Sequence, residues 1–263
     1  MPVAYQFIDL EIADKIATLK LNAPEVLNAL SAPMVAEIST ALTEVTQPDS
    51  GVRCLLMTGV GRAFCAGANL QPKGQDSDLP PAGQVLETHY APVMNKIRHL
   101  PFPFVTAVNG PAVGVGMSFA MMGDFVLASE NAYFLQAFAN IGLVPDGGAT
   151  YMLPRMIGWS RALELSLLAE RLPAAKAEEW GLVNRVVPDE SLMEESMIIA
   201  EKLANGPRSL GLIRKAYWQS LDNSFAEQMQ FEANLQQQAS ATWDNREGVT
   251  AFLEKRTAKF EGR

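Results

Sequence analysis

Two runs of strand length are almost wholly apolar, and each is followed at once by a glycine-rich segment. Residues 52–58 (VRCLLMT) run into GVGRAFCAGANL, and residues 104–108 (FVTAV) run into NGPAVGVG. A strand apolar along its whole length is buried on both faces, which requires other layers packed above and below it. A third run, DFVLA at 124–128, follows an apolar segment, 117–122, that reads as a buried helix. The recurring unit is strand, glycine turn, helix, and it predicts a layered α/β body.

Around that body the sequence predicts simpler elements. Alternation in 3–10 and 15–21 about the turn-prone Ala13-Asp14 reads as a hairpin. Ser31 has the position of an N-cap, with Pro33 in the first turn and Val35, Ile38, Leu42 and Val45 at helical spacing behind it. The polar, Pro- and Gly-rich stretch 71–83 predicts an exposed loop, with a helix after it from about 84 to 99. Beyond Pro188 the pattern is helical only, at 190–204, 208–219, 223–239 and 247–255, broken by Asn205-Gly206-Pro207. Phe225, Met229 and Phe231 stripe one of these helices with apolar surface in need of a partner. A division follows into a catalytic core, 1–204, and a helical C-terminal region, 205–263, that closes the site and serves assembly.

Charge narrows the range of ligands. With 21 Lys and Arg against 29 Asp and Glu, the net charge of -8 repels nucleic acid and acidic membrane surfaces, so any anionic ligand is held locally. The N-terminal stretch has early acidic residues and no apolar run of signal or membrane-spanning length, and we expect a soluble cytoplasmic protein. Cys54 and Cys65 match no disulfide framework or CxxC motif and read as structural thiols; His89 and His99 match no metal-ligand pattern. No metal site is expected.

The glycine segments are the candidates for chemistry. Glycine lets backbone approach a ligand, and a helix starting near Gly116 would direct free N–H groups at it. Two amides aimed at one point stabilise the oxyanion of an enolised thioester. Neither segment is a phosphate-binding GK[ST] loop or a GxGxxG dinucleotide fingerprint.

The order and content of these segments resemble the enoyl-CoA hydratase/isomerase (crotonase) superfamily. The chain carries NAPEVLNAL at 22–30, RAFCAGANL at 62–70, AVNGPAVGVGMSFAMMGDFVLA, FANIGLVPDGGATYMLPRMIG and GLVNRVV at 181–187, in family order, and it ends in EGVTAFLEKRTAKFEGR. The resemblance implies a spiral of ββα units with a helical C-terminal region, assembled as a homotrimer or dimer of trimers. It implies an acyl-CoA thioester substrate, with coenzyme A entering as part of that substrate and no tightly bound cofactor.

By that resemblance the amides of Ala68 and Val115 form the oxyanion hole. Val115 stands where the family usually has glycine, which bears on the width of the pocket. Val26, Leu27, Ala29, Ala66, Gly67, Ala68 and Gly114, together with Ser118 and Phe138, are expected to contact the coenzyme or the rest of the substrate. Family hydratases use two glutamates, at the positions of Ser118 and Phe138; neither carboxylate is present, which disfavours paired acid/base work on water. Asp146, in LVPDGG, resembles the catalytic acid of the isomerase branch, closest to the 1,2-epoxyphenylacetyl-CoA isomerases, although an Asp just before a helix also reads as an N-cap. Phe134, Phe138, Leu143 and Val144 are expected as dry walls around it, and Lys255, Arg256 and Lys259 either reach coenzyme A phosphates or are solvated. Three rivals stay open: a hydratase, a dehalogenase-like enzyme, and a non-catalytic acyl-CoA-binding protein.

Overall fold

The computed structural model describes residues 4–70 and 82–263. Its centre is a six-stranded sheet of order β1-β2-β3-β4-β6-β9. Strands β1 (Ile8–Ala13) and β2 (Ile16–Leu21) form the expected antiparallel hairpin. The turn falls one residue later than expected, on Asp14 and Lys15, both in the left-handed region at φ 49° and 69°, the conformation that two-residue hairpins require.

From β2 onward the sheet is parallel, through β3 (Cys54–Gly59), β4 (Phe104–Val108), β6 (Phe125–Ser129) and β9 (Arg185–Val187). Every residue of β3 and β4 is buried, as continuous apolar runs demand. Leu55 and Met57 join the large core on one face, under α1 (Ala32–Val45) and α4 (Val115–Met121). Cys54 and Leu56 face the other way, against α8 (Leu192–Ala204). The molecule is therefore layered, with helices on both faces of the sheet. No helix among the described residues is long and apolar enough to cross a membrane.

Helix α1 starts where Ser31 predicts: its hydroxyl accepts the Met34 N–H at 3.3 Å, and Met34, Val35, Ile38, Ala41, Leu42 and Val45 form the buried stripe. The helix expected from residue 84 begins earlier, as α2 (Ala82–Val85), and continues through a wide π-type stretch at Leu86–Tyr90 into α3 (Ala91–Arg98). The rest of the expected 71–83 loop, and Val3 of the hairpin, lie outside the described residues.

Several elements went unforeseen. A small second sheet joins β5 (Ala112–Val113), β7 (Tyr133–Leu135) and β8 (Leu172–Pro173). Helices α6 (Trp159–Leu168) and α7 (Ala174–Glu179) were likewise unmarked, whereas α5 (Ala149–Ile157) is the helix expected after Asp146. The C-terminal helices α9 (Ser209–Ser220), α10 (Phe225–Ser240) and α11 (Trp243–Glu254) match expectation, except that α11 starts earlier, where the Thr242 side chain caps it.

Candidate active site

Three loops meet at the C-terminal edge of the parallel strands. The loop after β3 and the loop after β4 are laced together, with Cys65 N–H donating to Pro111 O at 3.0 Å and Val113 N–H to Cys65 O at 2.9 Å. The loop after β2 joins them through Asn28, which is wholly buried. Its Oδ1 accepts the Ala23 N–H at 2.9 Å, and its Nδ2 donates to Ala63 O at 2.8 Å and Val60 O at 3.0 Å. Ala66 N–H donates to Leu27 O and Leu30 N–H to Gly67 O, at 2.9 and 2.7 Å. Val26, Leu27 and Ala29 thus run beside Ala66, Gly67 and Ala68; all are half-buried except Gly67, which is buried, and Ala68, which is exposed. The residues expected to contact coenzyme A lie together along one strip.

The second loop ends in α4, whose N-cap Gly114 has φ +53°. Gly116 packs so tightly that a Cβ there would fall 2.5 Å from Cys65 O. Among the described residues neither the Ala68 amide nor the Val115 amide donates to a protein acceptor. Val115 is at the first position of the helix, where a backbone N–H has no intrahelical partner. Its side chain packs against Gly147, where a Cβ would come within 3.1 Å of Val115 Cγ2.

Asp146 sits on that same surface. Ser118, fully buried in α4, donates its hydroxyl to the Asp146 backbone carbonyl. Gly147, at φ +60°, rests directly on α4, since a Cβ there would lie 2.8 Å from Ser118 Cβ. The N-cap of α5 is Gly148, and it is the Asp146 backbone carbonyl, not the side chain, that takes the Ala149 N–H at 3.1 Å. The capping alternative for the carboxylate is thereby set aside. Its Oδ1 is buried and has no hydrogen-bond partner among the described residues, and burial raises its pKa to about 6. A carboxylate in such surroundings holds its proton longer than one in water, the property of a general base working near neutrality.

The carboxylate lines a cleft of about 360 Å³ with Leu86, Met94 and Arg98 of the preceding helical segment, Met122, Tyr151 and Met152 of α5, and Trp218 of α9. Asp146 is the one carboxylate among the described residues lining it. None of the four expected wall residues lines this cleft. Phe134 is fully buried in the core, Phe138 packs on the second loop 3.7 Å from where a Gly114 Cβ would be, and Leu143 and Val144 are 45% and 78% exposed. The left-handed turn at Gly142 leads the two aliphatic residues out to solvent, and the walls come instead from helices remote in sequence. Trp218 and Arg98 were not foreseen, because nothing local marks a helical residue as facing a cleft built by others. Asn28 had one available signal, being the polar residue in an otherwise apolar VLNAL.

Other expectations sort readily. Cys54 and Cys65 are buried, and burial pushes both thiols up to about 12, so neither supplies a thiolate. Arg256 is engaged by Glu247 and Glu254, each at 2.7 Å, while Lys255 and Lys259 are exposed.

Comparison with known proteins agrees over nearly the whole length. The family model for enoyl-CoA hydratase/isomerase matches residues 11–263. The 1,2-epoxyphenylacetyl-CoA isomerase of Escherichia coli (strain K12) is 40% identical over 98% of this chain and 99% of its own. The mitochondrial enoyl-CoA hydratase of Pongo abelii is 34% identical over 94% of this chain and 83% of its own. The crystal structure of an enoyl-CoA hydratase from Bacillus anthracis superposes with a TM-score of 0.90 at 31% identity, covering 98% of this chain and all of that one (100%). The fold is thus the crotonase type that the motifs implied, and the chain belongs to the enoyl-CoA hydratase/isomerase family.

Proposed function

We propose that this chain is an acyl-CoA isomerase that works with a single carboxylate. A 3-enoyl-CoA binds with its thioester oxygen between the N–H groups of Ala68 and Val115, the coenzyme running past Val26, Leu27, Ala29 and Ala66. Asp146 takes a proton from C2, the dienolate charge rests on the two amides, and the same carboxylic acid returns a proton at C4. One group serves both steps because both carbons lie on one face of a planar dienolate. Each amide contributes about 3 kcal/mol to the transition state. On a 1,2-epoxyphenylacetyl-CoA the same hole and carboxylate would instead promote ring opening and rearrangement.

The observation that carries this reading is the solitude of Asp146, a desolvated carboxylate with no second acid among the described residues that line the cleft. Ser118 stands where a hydratase glutamate would be, and its hydroxyl is committed to a backbone carbonyl. Phe138 stands at the other such position and offers no proton. Residues 205–263 are proposed to close the coenzyme site and to build a homotrimer or dimer of trimers, and we place the enzyme in the cytoplasm.

The test is a panel of crotonyl-CoA, 3-hexenoyl-CoA, 1,2-epoxyphenylacetyl-CoA and a halobenzoyl-CoA in deuterated water, read by mass spectrometry. Deuterium at C2 or C4 of an isomerised product, or rearrangement of the epoxide, is expected. Fast hydration of crotonyl-CoA with no isomerisation would overturn the proposal in favour of a hydratase.

A further inference from the structure

One wall of the Asp146 cleft is built unlike the rest. Leu86, Met94, Met122 and Met152 are aliphatic or thioether surfaces able to give way. Toward the C-terminal helices the lining is Arg98, Tyr151 and Trp218, and the polar ends of Arg98 and Tyr151 are tied down. Tyr151 donates its phenol to Asp222 Oδ1 at 2.6 Å, and Arg98 pairs with the same carboxylate. Arg98 also donates to the Trp218 backbone carbonyl at 3.1 Å and lies 5.5 Å from the Trp218 ring and 5.8 Å from that of Tyr151. On the buried side the Trp218 ring meets the Arg214 guanidinium at 5.8 Å. Asp222 lies in the turn between α9 and α10, so one carboxylate joins α3, α5 and the C-terminal helical hairpin.

We propose that Arg98, Tyr151 and Asp222 form a clasp that holds this wall shut and sets the largest acyl group able to reach Asp146. The inference rests on reading the cleft as the acyl site. An apolar cavity of about 150 Å³ accommodates a benzene ring. A cleft of about 360 Å³ therefore takes one ring with its linker, or a chain of medium length, before meeting the wall. A longer chain must push past Tyr151, and that costs the phenol its carboxylate partner. The acyl groups expected to fit are compact or ring-bearing, and long linear chains are excluded by the clasp.

The experiment compares the full-length wild type with Asp222→Ala, Tyr151→Ala and Tyr151→Phe. For each, kcat/KM is measured on 3-hexenoyl-, 3-decenoyl- and 3-hexadecenoyl-CoA, and Kd on hexanoyl- and palmitoyl-CoA, which cannot isomerise. The long-to-short ratio should rise at least about tenfold in Asp222→Ala and Tyr151→Ala, the low end of what one methylene's fit is worth in an apolar pocket, and by less in Tyr151→Phe, which keeps the ring. Tyr151→Phe removes only a hydroxyl and decides the matter if the alanine variants do not fold. Ratios equal to wild type in folded variants, or losses equal across all chain lengths, would overturn the clasp. A shifted Kd ratio with no turnover of any enoyl ester would instead reject the isomerase reading and leave the clasp standing.

Discussion

The hydroxyl of Ser118 donates a 2.9 Å hydrogen bond to the backbone carbonyl of Asp146. It binds the first turn of α4 to the loop that carries the carboxylate, and it uses the one proton Ser118 has to give. The same carbonyl also accepts the Ala149 N–H, so removing the hydroxyl leaves it bonded. Ser118→Ala should cost about 1 kcal/mol, lowering Tm by about 2–4 °C, with kcat within about tenfold of wild type. Calorimetry and steady-state kinetics check both. A loss as deep as that of an Asp146 variant would mean that Ser118 moves protons.

Asp146→Asn keeps the shape of the side chain and removes the base. Isomerase turnover should fall by about 10²–10⁴-fold, the usual worth of a positioned acid/base, while the Kd of an unreactive acyl-CoA changes little. Single-turnover kinetics together with titration calorimetry separate the two effects, and near-normal turnover would sink the assignment.

The same carboxylate predicts two opposite pH effects. It must be ionised to accept a proton, so kcat/KM should fall as pH drops through about 6. Its folded pKa lies above the ordinary value of 3.8, so the folded state binds the proton more tightly than the unfolded chain does. Its contribution to stability is therefore fully present below that ordinary value and is lost as pH rises through about 6. Asp146→Asn, free of a buried charge, should unfold at a higher temperature than wild type above pH 6, with the gain shrinking toward pH 4. Melting curves across that range provide the measurement, and a gain independent of pH would contradict it.

Asn28 ties the loop after β2 to the loop after β3 from within. Asn28→Ala removes three hydrogen bonds, leaves the Ala23 N–H buried without its partner, and puts alanine at φ 57°. Together these should cost about 3 kcal/mol. Urea unfolding should show the loss, and KM for the acyl-CoA should rise as the strip from Ala66 to Ala68 loosens. An unchanged KM in the folded variant would show that the strip keeps its shape without Asn28.

What the sequence disclosed followed from how local each signal is. Strands β3 and β4 and the cap at Ser31 were legible because a doubly buried strand is a continuous apolar run and a cap is a one-residue signature. The small sheet was not: β5 and β8 have two residues each and β7 three, too few to show a period. Asp146 emerged only through the family resemblance, since alone it read rather as a cap. The clasp was invisible because residues 98, 151 and 222 meet only after three helices have packed.

Gly147 lies with its bare backbone on α4, against Val115 and Ser118. The offset of the carboxylate from the helix end is consequently set, like a gauge block, by the short Val115 and Ser118 side chains bearing directly on bare backbone, with no side chain of residue 147 to compress or repack. Drift elsewhere in the cleft can reshape what enters while that gap holds its tolerance, and bulk gained at residue 147 would shift the whole loop.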